Sequence, residues 1–137
     1  MKIVVLKFGG TSVGTVTKIK KVAEIIANYR KKNFNVIVVS SAMSGVTNDL
    51  ISKSQKICQN FSDSEHDVLV SSGEQVACSL IAGRLIHKGF KSRSWLAWQI
   101  PILTDGPHKH ARINNLYKNK LIKYLKEGGI PIIAGFQ

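Results

Sequence analysis

Apolar positions along the chain follow two rhythms. Residues 2–7 and 35–40 (NVIVVS) are short runs of Ile, Val and Leu, the pattern of buried strands. Between them Val16, Ile19, Val22, Ala23, Ile26 and Ala27 recur at helical spacing, with most of the Lys and Arg on the other face, which predicts a helix over 16–31. A second helix is expected over 46–59. After the polar stretch NFSDS a long helix is expected over about 64–87, burying Val68, Leu69, Ser72, Val76, Leu80, Leu85 and Ile86. FKSRSWLAW and QIPILTD read as short strands, the second broken early by Pro101. INNLYKNKLIKYLKEGG has the pattern of an amphipathic helix with a glycine stop, and IPIIAGF (130–136) is a last apolar strand.

Strands alternating with helices predict an α/β protein, a layered α/β/α sandwich around a mainly parallel sheet. Ligands of such sheets sit beyond the carboxyl ends of the strands. The chain stops just after a core-like strand, so the expectation is the first part of a larger domain.

Composition narrows the classes. A length of 137 residues suits one domain with a sizeable core. Its apolar runs are far shorter than the roughly 20 residues a membrane helix needs, and residues 1–8 look like a strand rather than a leader. A cytoplasmic protein is expected, with Cys58 and Cys78 reduced and packed as small hydrophobes. The net charge of +12 would suit an anionic partner. The lysines are scattered, however, and no aromatic-basic interleaving resembles an RNA-binding module, so nucleic acid is not expected as a partner. Trp95 and Trp98 are read as strand and core packing. His108 and His110 lack a third ligand at metal-binding spacing, and no metal site is expected.

Three stretches carry candidate chemistry. In KFGGTSVG (7–14) the lysine precedes the glycines, unlike a Walker loop, and the dinucleotide fingerprint is absent. What remains is a strand, a lysine, a diglycine and a helix. Glycines let backbone N–H groups approach an anion, the helix adds its positive end, and Lys7 adds an ammonium. A tight βα turn would use the same residues. VVSSAMSGVTNDL (38–50) repeats the design with Ser40, Ser41, Ser44, Gly45, Thr47 and Asn48, although Ser44 or Thr47 could serve simply as an N-cap. SSGEQ (71–75) puts Gly73, which costs about 1 kcal/mol in a helix, beside Glu74. That carboxylate either faces solvent or receives an ammonium group of a substrate.

Together KFGGTSVG, SSAMSGVTNDL (40–50), VSSGEQVA (70–77), RSWLAWQIPILTD (93–105) ahead of ARI (111–113), and IIAGFQ (132–137) resemble the aspartate kinase (aspartokinase) branch of the amino acid kinase family, over residues 2–137. The resemblance implies transfer of the ATP γ-phosphate to the β-carboxylate of L-aspartate, giving 4-phospho-L-aspartate for lysine, threonine and methionine synthesis. It implies that Lys7, Phe8, Gly9 and Gly10 hold ATP phosphates, with Lys7 stabilising the transferring phosphoryl. Ser41 would lie where nucleotide meets substrate. Gly45, Val46, Thr47, Asn48 and Asp49 would line the aspartate pocket, and Glu74 would position aspartate. The acceptor carboxylate is already ionised at neutral pH, so no strong general base is required; lysine, backbone amides and Mg²⁺ carried by the ATP phosphates would do the work.

Two departures from the family pattern stand out. The family often has a small residue or glycine after the histidine of the loop before ARI, where this chain has His108-Lys109. The family also continues past AGFQ into a GRGGSD motif, a nucleotide-base pocket and regulatory ACT domains, so residues 1–137 correspond to the aspartate-binding part of the kinase domain. On that reading the chain alone would be feebly active at most, and homodimerisation or other self-association is expected through apolar surface left open. The competing reading is a truncated, non-catalytic remnant that folds and binds aspartate or anions, or only self-associates.

Overall fold

The structure, a computed structural model, describes residues 2–136. Ten elements follow in the order β1 (Ile3–Phe8), α1 (Val16–Lys31), β2 (Asn35–Ser40), α2 (Val46–Ile57), α3 (Asp63–His87), β3 (Ser92–Trp95), β4 (Ile102–Thr104), β5 (Ile113–Leu116), α4 (Asn119–Lys126) and β6 (Ile130–Ala134). Four strands form a parallel sheet in the order β1-β2-β6-β3, and β4 pairs with β5 in a separate antiparallel hairpin. The α/β class with a parallel sheet is as the alternation of elements implied.

One face of the sheet carries the main core. Val36 and Val38 of β2, with Ile130, Ile132 and Ala134 of β6, pack against Ile19, Val22, Ala23, Ile26 and Ala27 of α1 and Cys78, Ile81, Ala82 and Leu85 of α3. The other face is covered near β3 and β6 by α4, where Leu121 and Tyr124 meet Trp95, Ile100 and Ile133. β1 is therefore not buried on both sides. Val4, Leu6 and Phe8 pack against the main core, while Ile3 and Val5 are exposed with Lys7 on the alternate positions.

Three expectations fail for definable reasons. The helix foreseen over 113–129 forms only from Asn119, because 113–116 pairs with β4, with Tyr117 donating its N–H to the Pro101 carbonyl. Asn114 and Asn115 are weak helix formers, so pairing overrides the apolar spacing. In α3 the expected buried face is largely displaced: Leu85 is buried and Leu69 and Ser72 are half-buried, but Val68, Val76, Leu80 and Ile86 are exposed, and Val70, Gly73, Glu74, Ala77, Cys78, Ile81 and Ala82 are buried. The face toward the sheet and α1 mixes small side chains with Ile81 and Leu85, so bulk alone does not mark it. Finally, Trp98 is 68% exposed and Cys58 is exposed, so neither packs as foreseen, whereas Trp95 and Cys78 are buried.

The hairpin departs from its own pattern at one place. Lys109 takes φ 62°, a left-handed conformation that favours glycine, at the position after His108. Its backbone N–H donates to Asp67 Oδ2 at 3.2 Å and its Nζ pairs with Asp63, while His108 Nδ1 lies 2.8 Å from the same Asp67 oxygen. Side-chain and backbone bonds to the first turns of α3 thus offset the strain and dock the hairpin there.

Candidate active site

The carboxyl ends of β1, β2 and β6 lie side by side, and their following loops are tied together. Ser41 N donates to the Phe8 carbonyl (3.0 Å) and Gly135 N to the Ser40 carbonyl (3.1 Å), while Ser40 Oγ donates to the Ser41 carbonyl (3.0 Å). Parallel pairing sets Lys7 opposite Val39 and Phe8 opposite Ser40, so the lysine stands at the strand tip. Lys7 is exposed and has no ion pair among the described residues. Phe8 turns its ring into the core and contributes its carbonyl to the loop bracing.

The glycines divide their work. A Cβ on Gly10 would lie 3.2 Å from the Ala42 carbonyl oxygen, and one on Gly14 would lie 2.9 Å from Ser44 Cβ. These two let the first loop lie against the second. A Cβ on Gly9 would meet nothing within 4 Å, so this backbone is open to a ligand. Turn bonds from Ser12 N and Val13 N to the Gly9 carbonyl shape the loop. Lys18, which the sequence pattern did not single out, fixes it from α1 by donating from Nζ to the Thr11 carbonyl at 2.9 Å.

The two helix starts differ. Thr15 caps α1, its hydroxyl accepting from Lys18 N at 3.2 Å, so this end is already satisfied by its own side chain. α2 begins at Gly45, in the left-handed region at φ +81°, with no side-chain cap. Neither Ser44 nor Thr47 therefore caps it. Val46 N finds the Met43 carbonyl and Asp49 N the Gly45 carbonyl, leaving the N–H groups of Thr47 and Asn48 without a backbone acceptor among the described residues. An uncapped helix start of this kind favours an anion. Val46 is half-buried and faces α3, Thr47 is half-buried and Asn48 exposed. Asp49 points to solvent, paired with Lys53 at 2.7 Å.

Glu74 comes from the buried face of α3 and is 8% exposed. It does not face solvent. The N–H of Phe136 donates to its Oε2, and those of Gly135 and Ala42 also point at the carboxylate. Burial pushes its pKa above the ordinary carboxylate value; the three N–H groups and the positive charge of Lys7 oppose that shift without cancelling it. The carboxylate thus joins α3 to the loops after β2 and β6, within electrostatic reach of Lys7.

Gly73 explains why α2 sits where it does. A Cβ there would meet Val46 Cγ1 at 2.9 Å, Ala42 Cβ at 3.3 Å and Leu50 Cδ1 at 3.3 Å, whereas a Cβ on Gly83 of the same helix meets nothing within 4 Å. Gly83→Ala is expected to stabilise by about 0.5–1 kcal/mol through helix propensity. Gly73→Ala is expected to destabilise by about 1–3 kcal/mol instead, because α2 or the Ala42 loop must shift. Urea unfolding of the two variants beside the parent protein checks the opposite signs.

The glycine loop, the unpaired lysine and the uncapped helix start thus converge at the tips of a parallel α/β sheet, where such sheets bind their ligands. Over residues 2–137 the chain matches the amino acid kinase family, and it belongs to that family. Curated proteins that it resembles include aspartokinases. The chain is 47% identical over 140 residues to the aspartokinase of Rickettsia felis and 43% identical over 137 residues to the aspartate kinase of Pseudomonas putida. Both alignments cover 100% of this chain, but only 35% and 33% of those proteins, so the chain spans about a third of their length. The crystal structure of aspartate kinase from Synechocystis superposes with a TM-score of 0.83 at 36% identity, over 100% of this chain and 22% of that one. E. coli aspartokinase III, solved with aspartate and ADP, shares the fold with a TM-score of 0.80 at 19% identity, over 97% of this chain and 40% of its own.

Proposed function

We propose that this chain is the aspartate-binding, N-terminal part of an aspartate kinase domain, serving transfer of the ATP γ-phosphate to the β-carboxylate of L-aspartate. The observation that carries the reading is the convergence of an unpaired Lys7, the open Gly9 backbone and the uncapped start of α2 around a buried carboxylate, Glu74. E. coli aspartokinase III, which shares this fold, was solved with aspartate and ADP, the two ligand chemistries proposed for this site.

In this reading the Gly9–Gly10 backbone and Lys7 hold the phosphates, and Lys7 neutralises charge on the phosphoryl group in transit. Phe8 acts through its carbonyl, by fixing Ser41 at the border between nucleotide and amino acid. The free N–H groups of Thr47 and Asn48 receive a substrate carboxylate, with Gly45 and Val46 shaping that wall and Asp49 at its outer margin. Glu74 faces the α-ammonium. Attack needs no base, since the β-carboxylate, with a pKa of about 4, is already ionised. Mg²⁺ when bound would neutralise phosphate charge. Among the described residues no group of three His, Cys, Asp or Glu side chains is placed to hold it, so the ion would rest on the phosphates themselves.

The product, 4-phospho-L-aspartate, would enter lysine biosynthesis, a role suited to the cytoplasm; no helix among the described residues is long and apolar enough to cross a membrane. Trapping with hydroxylamine tests the reaction. Incubation with ATP, Mg²⁺ and L-aspartate should yield aspartyl β-hydroxamate, slowly at best for a chain that spans about a third of its relatives, and omission of any one should abolish it. Hydroxamate formation that is the same with D-aspartate would overturn the assignment.

A further inference from the structure

The chain has two tryptophans, and both stand on one open cleft of about 600 Å³. The cleft lies at the β3 edge of the sheet, the edge opposite β1 and its glycine loop. Arg93, Trp95, Trp98, Lys120, Lys123 and Tyr124 form most of its wall. Trp95 is 6% exposed and meets Tyr124 edge-on, with ring centroids 5.5 Å apart, and the Arg93 guanidinium lies 4.6 Å from its ring centre. Trp98 is left open, without a ring partner among the described residues. The Trp95 indole N–H is buried and has no acceptor among the described residues.

Charge on this cleft is one-sided. Glu127 is its acidic residue, and that carboxylate is taken by Lys91 at 2.8 Å, which also lies 5.2 Å from the centre of the Tyr124 ring. Arg93, Lys120 and Lys123 form no ion pair among the described residues, although Lys123 lies within electrostatic reach of Glu127. Three cations thus share the cleft with an exposed indole. A flat π-system stacks on an open indole whatever its substituents, and Arg and Lys hold phosphate by charge-assisted hydrogen bonds. The volume falls within the roughly 300–1,000 Å³ of ordinary small-molecule sites. A single carboxylate would leave most of the positive charge unanswered, which favours a doubly charged anion.

We propose that this cleft is a second ligand site, taking a nucleoside phosphate whose base stacks on Trp98 and whose phosphate is held by Lys120, Lys123 and Arg93. It is separate from the strand-tip site and does not depend on the reaction assigned there. Because both indoles belong to the cleft, intrinsic fluorescence of the whole chain reports its occupancy directly.

AMP is the probe, since it lacks the outer phosphates that the Gly9 loop would hold. Titration should quench the fluorescence saturably, with adenosine and inorganic phosphate each binding at least about tenfold more weakly, because each keeps only half of the recognition. Lys120→Glu combined with Lys123→Glu, both on the exposed side of α4, should weaken AMP by about tenfold or more, and Lys7→Ala should leave it unchanged. Circular dichroism confirms that the double variant is folded; if it is not, Arg93→Gln is read in its place. Quenching absent up to about 5 mM AMP, lost in Lys7→Ala, or unaltered in the charge variants would overturn the proposal. So would phosphate alone binding as tightly as AMP, or a short single-stranded oligonucleotide binding more than about tenfold tighter, which would mark a nucleic-acid surface.

Discussion

Replacing Lys7 by alanine is expected to slow aspartyl hydroxamate formation by about 10²–10³-fold, the usual cost of removing one preorganised group from a site where charge develops. The side chain is exposed and makes no contact that holds the fold, so unfolding free energy should change by no more than about 0.5 kcal/mol. Two features set the size of the effect. Lys7 stands at the tip of a parallel strand whose register with β2 fixes its direction, and the neighbouring Gly9 backbone leaves room for phosphate beside it. Arginine in its place should recover little, because a planar guanidinium fork does not reproduce the compact point charge of an ammonium. Hydroxamate formation in Lys7→Ala within about threefold of the parent rate would remove the lysine from the chemistry.

Glu74→Ala should have the largest combined effect on stability and binding. The carboxylate is buried and answers N–H groups from the loops after β2 and β6, so its removal takes the acceptor from the buried Ala42 N–H and cuts the tie to Phe136, at about 1–3 kcal/mol. Glu74→Gln separates charge from packing. In the folded protein burial raises the Glu74 pKa above its ordinary value of 4.5. The folded state therefore binds more protons than the unfolded chain between those two values. Its contribution to stability is fully present below about 4.5 and is lost as pH rises through the folded pKa. Glutamine does not titrate. The stability of the parent relative to Glu74→Gln should accordingly be greatest at the acid end and fall as pH increases through that window. Paired thermal unfolding from pH 4 upward checks the sign; a difference that grows with pH would show that the backbone donors outweigh burial.

Much of this arrangement was legible in the chain. The order of strands and helices, the lysine before a diglycine and the recurrence of small hydroxyl residues after the second strand all followed from local pattern, and all three reach the same edge of the sheet. What sequence pattern could not supply was the partner of each group. Gly9 and Gly10 read alike as a diglycine, yet only the contact with Ala42 reveals that Gly10 also lets two loops touch, as Gly14 does against Ser44. Glu74 read as either solvent-facing or ammonium-binding because the N–H groups it accepts lie about sixty residues downstream and thirty upstream in sequence, beyond any local signal. The burial of α3 was misread for a related reason. A helix apolar on both sides has no moment to mark its inner face, and there the small residues Gly73, Ala77, Cys78 and Ala82 share that face with Ile81 and Leu85. β5 was missed because a four-residue strand paired to a three-residue one has almost no period to detect.

The central claim is that the strand tips, the start of α2 and Glu74 together form a site for L-aspartate. Calorimetric titration of the chain with L-aspartate, repeated on Glu74→Gln and with succinate, which lacks the ammonium, tests it most directly. The account predicts saturable one-to-one binding of L-aspartate, weakened at least about tenfold both by the Glu74 substitution and by loss of the ammonium. No heat of binding up to about 10 mM, or equal affinity for succinate and for L-aspartate in both proteins, would contradict it.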